Sequence, residues 1–257
     1  MKKTPLEERI TKLLGNIAKN GVPNVKNLKK YALVSTERTG STMLSRVLSR
    51  AGLGWPYEWL NDAYINTYMR IKKRQQLNLQ EYFIDMFAGS YNPETNIFGL
   101  NFHVSQFQLW TQRGFNIYDF GFDKVYYIDR RDIKRQAYSL AKALKTGMWS
   151  KRAEKSRGYN KSPEVEITLM DLQKAETQLL TSKKFYKENL ASKTNNRFLY
   201  EDIVKEGGME SCVRTICGDL EVDLHNDFDF TSPHKKQSTE FDDLQFSQLI
   251  KELENSD

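Results

Sequence analysis

The stretch Tyr31-Ala-Leu-Val-Ser-Thr-Glu-Arg-Thr-Gly-Ser-Thr-Met-Leu-Ser-Arg-Val-Leu-Ser-Arg-Ala-Gly52 decides the fold. An apolar run gives way to a polar loop and then to a helix-forming run closed by glycine, which reads as strand, tight turn and helix. Such a junction aims the first amides of a helix, unpaired within it and at the positive end of its dipole, into the loop. Arg38 adds a fixed positive charge with fork geometry, and Thr39, Ser41 and Thr42 add hydroxyl donors. Gly40 lets the backbone pass close to a ligand. The loop suits a phosphate or a sulfate. Glu37 is the odd residue: a carboxylate beside a bound anion repels it, so the side chain is expected to point outward. The loop is not a Walker A motif, because no glycine opens it and Ser41 stands where that motif has lysine.

A second segment has the same form. Lys124-Val-Tyr-Tyr-Ile-Asp-Arg-Arg-Asp-Ile-Lys-Arg-Gln-Ala-Tyr-Ser-Leu140 reads as a strand leading into a helix, with Asp132 as its N-cap. Arg131 falls at the strand end and Ser139 eight positions later on the helix. Together a guanidinium and a hydroxyl grip one phosphate.

These residues resemble a known family. The loop from Arg38 to Thr42 is similar to the 5′-phosphosulfate loop of sulfotransferases, and Arg131 with Ser139 matches their 3′-phosphate signature. The resemblance extends further to the bacterial trehalose 2-sulfotransferase branch. Ser35 to Asn61, with Trp55-Pro-Tyr-Glu-Trp-Leu60, resembles that branch, as does Arg130-Arg-Asp through Ser139 to Thr146-Gly-Met-Trp149. Tyr200-Glu-Asp-Ile203 resembles the late Tyr-Glu-Asp segment.

The resemblance implies an α/β fold, a central and mainly parallel sheet flanked by helices, of the P-loop-NTPase-like sulfotransferase type. It implies 3′-phosphoadenosine 5′-phosphosulfate (PAPS) as co-substrate, 3′-phosphoadenosine 5′-phosphate (PAP) as product, no metal, and a carbohydrate or similar small hydroxyl acceptor. Arg38, Thr39, Gly40, Ser41 and Thr42 would hold the 5′-phosphosulfate, Arg131 and Ser139 the 3′-phosphate, and Tyr200 the adenine. Glu58 is the general base that this branch implies, and flanking Trp55, Tyr57 and Trp59 would desolvate it and raise its pKa. His103 competes for the role, because another sulfotransferase branch carries Lys-Thr-His where this chain has Asn101-Phe-His103. Trp55, Trp59, Trp110 and Trp149 offer flat faces for sugar rings.

Composition sets the frame. A chain of 257 residues suits one α/β domain over 1–257, with an N-terminal helical extension over 1–28 and a C-terminal tail or helix over 235–257. Ile10, Leu13, Leu14 and Ile17 share one helical face, read as a packing face. No run is long and apolar enough to span a membrane and no signal peptide opens the chain, so a cytoplasmic location is expected. Cys212 and Cys217 fit neither a disulfide framework nor a metal motif, and His103, His225 and His234 show no zinc spacing. The net charge of +6 invites a nucleic-acid reading, but basic residues are scattered among 33 acidic ones, and no nucleic-acid partner is expected. The densest basic tract, Lys142 to Lys161, reads as a helix end and a loop beside the phosphate site. Two alternatives stay open: a nucleotide kinase or ATPase with Asp129 as magnesium carboxylate, and a non-catalytic nucleic-acid binder using the basic tract. Homodimerisation is left open as well.

Overall fold

A computed structural model describes residues 3–149, 163–232 and 238–255. Most of the basic tract (Lys151, Arg152, Lys155, Arg157 and Lys161) lies outside the described residues, as does His234. Four parallel strands form one sheet: β1 (Lys29–Ser35), β2 (Ile97–His103), β3 (Lys124–Asp129) and β4 (Asn196–Leu199). Their order is β2-β1-β3-β4. The sheet is thus parallel throughout its described strands, and helices cover both faces, as expected of an α/β chain.

On one face lie α1 (Pro5–Asn20), α3 (Asp62–Ile71), α4 (Leu79–Ser90) and α5 (Val104–Gln112), packed around Trp59, Phe98, Phe102 and Trp110. The packing face read in the N-terminal helix is real, since Ile10 and Leu13 are buried in this core. The other face takes α2 (Ser41–Arg50) and α9 (Gly208–Asp219), which contribute Leu44, Leu48, Val213 and Ile216. Between β3 and β4 run α6 (Ile133–Thr146) and α7 (Leu169–Asn189). The short α8 (Tyr200–Ile203) follows β4, and α10 (Glu240–Glu254) packs on α6 and α7. A buried ion pair, Lys142 Nζ to Asp242 at 2.7 Å, fixes α10 to α6.

The chain leaves β1 for β2 on one side and returns to β3 on the other, so the strand order reverses at β1. In open α/β sheets that reversal opens a crevice at the carboxyl ends of the strands. Here it lies between the loops after β1 and β3, the two loops that the sequence marks as anion sites.

Register within the sheet depends on one close approach. Tyr31 pairs with Gly99 across β1 and β2, and a Cβ at Gly99 would lie 2.5 Å from the Tyr31 ring. The ring is held by its hydroxyl, which donates to the Leu53 carbonyl at 3.0 Å. Gly99→Ala should therefore overpack the sheet and destabilise the protein by about 1–3 kcal/mol. Urea denaturation checks this, and Tyr31→Leu in the Gly99→Ala background should recover part of the loss.

Candidate functional site

The loop after β1 is curled by two left-handed residues, Arg38 at φ 64° and Gly40 at φ 80°. A positive φ at arginine is unusual and costs energy, which marks a place where the surroundings impose the conformation. Gly40 is the N-cap of α2 and no side chain caps the helix. Its Cα sits against Tyr200, and a Cβ there would lie 2.9 Å from the ring, so only glycine fits.

The curl sends neighbouring side chains in different directions. Arg38 reaches across to the second junction, where its Nε donates to Ser139 Oγ at 2.9 Å and its Nη1 to the Trp149 carbonyl at 2.8 Å. The Thr39 hydroxyl turns inward, donating to the Thr36 carbonyl at 3.2 Å, and is fully buried. It does not line the crevice, whereas Arg38, Gly40, Ser41 and Thr42 do.

Glu37 does not point outward as its charge suggested. It is 7% exposed, and its Oε1 accepts a bond from Ser105 Oγ at 2.7 Å, in the first turn of α5. The amino end of a helix favours a carboxylate, which is what draws the side chain inward.

At the second junction the structure separates the two arginines. Arg131 is exposed, 3.7 Å from Asp202, and its side chain does not line the crevice. Arg130 does, together with Ser139 and Tyr200. Its guanidinium lies 4.7 Å from the centre of the Tyr200 ring, and its Nη1 donates to the Arg38 carbonyl at 3.3 Å. Its Nε is buried with no hydrogen-bond partner among the described residues. The structure thus gathers Arg38, Arg130, Ser139 and Tyr200, and leaves Arg131 outside. The spacing of eight pointed to Arg131, whose side chain stands outside the crevice, while its tandem neighbour Arg130 lines it.

Asp129 is not open to a metal in this arrangement. Its carboxylate is buried between Lys183, at 2.7 Å, and Arg197, which hold it ionised below its ordinary range against the cost of burial. That pairing removes the carboxylate on which a kinase reading relied.

The other end of the crevice is built on β2. Ser35 and His103 are register partners at the ends of β1 and β2, and Ser35 Oγ lies 3.0 Å from His103 Nδ1. His103 Nε2 faces Glu58 Oε2 at 3.6 Å. The segment carrying Glu58 is docked on the same strand by a bond from the Asn101 amide to the Tyr57 carbonyl, 3.1 Å. Asn61 and Gln106 also donate to Glu58 Oε2, at 3.4 and 3.5 Å, and neither was singled out in the sequence. Glu58 Oε1 carries no hydrogen bond among the described residues.

The structure therefore brings the two rival bases into one ion pair. Burial pushes the Glu58 carboxyl up, but the imidazolium and the donors around it outweigh burial, and its pKa is lowered. The rise expected from flanking aromatics does not occur. Burial likewise pulls His103 down, yet Glu58, and Glu37 more weakly, raise it to about 9.

The four tryptophans divide. Trp59 and Trp110 are fully buried core residues and cannot be platforms. Trp55 is half-buried under the Lys12 ammonium, 4.0 Å away, and Trp149 is exposed at the crevice rim. Cys212 and Cys217 are buried free thiols, pushed up by burial to about 12 and about 11. The crevice as a whole encloses about 1080 Å³ and joins the anion loops to the Glu58–His103 pair.

The model of a protein family described as Stf0 sulphotransferase matches residues 30–243. The chain belongs to that family. It is a sulfotransferase, a transferase enzyme with an α/β fold. The match takes in both anion loops, Glu58, His103 and Tyr200, and leaves out α1 and most of α10. Among solved structures, the sulfotransferase domain from the Synechococcus PCC 7002 olefin synthase is similar at 14% identity and a TM-score of 0.38, covering 91% of this chain and 97% of that one. None of the curated proteins compared with this sulfotransferase matches it significantly. Among the described residues, no helix is long and apolar enough to cross a membrane.

The Glu58–His103 pair has a measurable signature. The folded pKa of His103 lies above its ordinary 6.5, so its stabilising share is complete below pH 6.5 and lost as pH rises through about 9. Glu58, lowered, acts with the opposite sign, and its share is lost only as pH falls below the ordinary carboxylate range. The melting temperature of the wild type should fall more between pH 6.5 and about 9 than that of His103→Gln.

Proposed function

We propose that this sulfotransferase moves a sulfuryl group from PAPS to a hydroxyl of a small acceptor, with a carbohydrate as the favoured class. The observation that carries the donor assignment is the convergence of two guanidinia, Arg38 and Arg130, with Ser139 and Tyr200 on one crevice. The Nε of Arg130, buried without a hydrogen bond among the described residues and with Glu201 Oε1 3.9 Å away, supports an anion there, since a buried donor left unbonded is costly. A crevice of about 1080 Å³ has room for a nucleotide and a sugar-sized acceptor.

When bound, PAPS supplies a sulfuryl group whose bond to the bridging 5′-phosphate oxygen breaks as the acceptor oxygen forms its bond to sulfur in line. The residues of the chain then have distinct tasks. Ser41 and Thr42, with the uncapped start of α2, hold the 5′-phosphate. Arg38 stabilises charge growing on the leaving oxygen, held in place by Ser139. Arg130 takes the 3′-phosphate, replacing Arg131 in that role, and Tyr200 backs both the loop and the guanidinium. Glu58 takes the acceptor proton on Oε1, while Asn61, Gln106 and His103 orient it through Oε2. His103 holds a proton at neutral pH and is the positioning partner of the base.

Arg130→Ala should weaken PAP binding by ~1.5–3 kcal/mol, the scale of a bond to a charged group, and Arg131→Ala should spare it. Calorimetric titration decides between them, and equal losses would contradict the assignment. Glu58→Gln should leave PAP affinity in place and cut turnover by ~10²–10⁴-fold. A Glu58→Gln enzyme with full turnover would pass the base role to His103.

A further inference from the structure

We infer that Arg9 anchors a second oxyanion site, built on α1 and α3 rather than on the two anion loops, with the Tyr64 hydroxyl as its partner. The site takes a carboxylate, sulfate or phosphate group, and its place on the crevice assigns that group to the bound acceptor. The assignment to the acceptor rests on the transfer reading above; the site itself does not.

The helix α1 lies outside the residues that the family model matches, yet it forms part of the crevice wall through Leu6 and Arg9. It is firmly seated. A capping box of Thr4 and Glu7 starts it, and Ile10 and Leu13 are buried. Gly89 of α4 lets it come close, since a Cβ there would lie 2.4 Å from the Leu13 side chain. Asn16 Nδ2 donates to the Gly89 carbonyl at 2.9 Å, and Glu7 pairs with Arg70 of α3 at 3.0 Å. Arg9 is thereby carried on a fixed element.

Arg9 is half-buried, and no carboxylate pairs with it among the described residues. Its guanidinium lies 4.7 Å from the centre of the Tyr57 ring and donates through Nη1 to the Tyr64 hydroxyl. A ring face and one hydroxyl replace only part of the water that such a cation gives up, and they leave most of its N–H groups unused. Tyr64 lines the crevice too, and while its oxygen accepts from Arg9, its own proton makes no hydrogen bond among the described residues. Burial raises the Tyr64 pKa to about 12 against the pull of Arg9, so that proton stays in place as a donor. The pair thus offers donors and no free acceptor, a set that an oxyanion completes. Other cations on the wall are committed, Arg135 to Asp243 and Lys142 to Asp242. Glu58, next to Tyr57, is balanced by His103, and Glu37 is bonded to Ser105 at the start of α5, so neither pairs with Arg9.

The test uses the full chain at saturating PAP, which fills the anion loops, with methyl β-D-glucuronide, methyl β-D-glucoside and inorganic sulfate titrated calorimetrically. The wild type should bind the glucuronide about tenfold or more tightly than the glucoside, the scale of one bond to a charged group. Arg9→Met, which keeps an apolar stem beside Tyr57, should lose that preference, and Arg9→Lys should keep part of it. Tyr64→Phe keeps the ring that meets Trp59 at 5.2 Å and removes only the hydroxyl. It should weaken glucuronide binding several-fold, and it decides the matter if loss of Arg9 unseats α1. Sulfate that binds the wild type but not Arg9→Met, with no preference for glucuronide over glucoside, would uphold the site and overturn its assignment to the acceptor in favour of a free anion. Glucuronide and sulfate binding that is the same in the wild type, Arg9→Met and Tyr64→Phe, or absent from all three, would overturn the inference. Failure of the wild type to bind PAP would sink the donor reading alone, and the same titrations on the free protein would then read the dependence on Arg9.

Discussion

Everything in the crevice depends on β1 having a parallel neighbour on each side. With β2 and β3 flanking it, the chain must leave the sheet at β1, cross over one face, return, and cross again, and the two crossings diverge at the carboxyl ends of the strands. The gap between them cannot be filled by secondary structure. It collects the start of α2, the start of α6 and the end of β2, and with them a curled backbone loop, two guanidinia, a serine and an imidazole–carboxylate pair. Arg38 bonding Ser139 across this gap joins two segments a hundred residues apart in sequence.

Much of this was legible in the sequence, for reasons that are local. The strand–loop–helix at 31–52 announces itself by an apolar run and a glycine where only glycine fits, and Asp132 does cap α6, accepting from the Arg135 amide at 2.8 Å. What failed were readings that needed distant neighbours. Glu37 was read by its own charge, but Ser105 and the start of α5 are 68 positions away. The aromatics beside Glu58 are adjacent in sequence, so desolvation could be foreseen; the imidazole that reverses the outcome is 45 residues further on. Which of Arg130 and Arg131 lines the crevice turns on the side that each faces at a strand end, and a spacing rule carries no such information. Trp59 and Trp110 illustrate the same limit, since composition cannot tell a sugar platform from a core residue.

The electrostatics of the crevice are divided along its length. At one end stand Arg38 and Arg130 with hydroxyls, suited to a polyanion; at the other stands the Glu58–His103 pair, with Arg9 over the neighbouring Tyr57 ring, suited to proton transfer. The division makes the in-line geometry of sulfuryl transfer natural, because charge leaves toward the first end and the proton toward the second. Asp129, which in a magnesium-dependent enzyme would face the phosphates, is here consumed by Lys183 and Arg197 in holding β3, β4 and α7 together.

The central claim is that the crevice selects a nucleotide bearing a 3′-phosphate. A thermal-shift titration with PAP, with ATP plus magnesium and with adenosine monophosphate, run side by side on the wild type, tests it most directly. PAP near 100 times its dissociation constant should stabilise the protein by ~2.7 kcal/mol and raise its melting temperature by several degrees, with little response to the other two. A rise with ATP and magnesium and none with PAP would contradict the account.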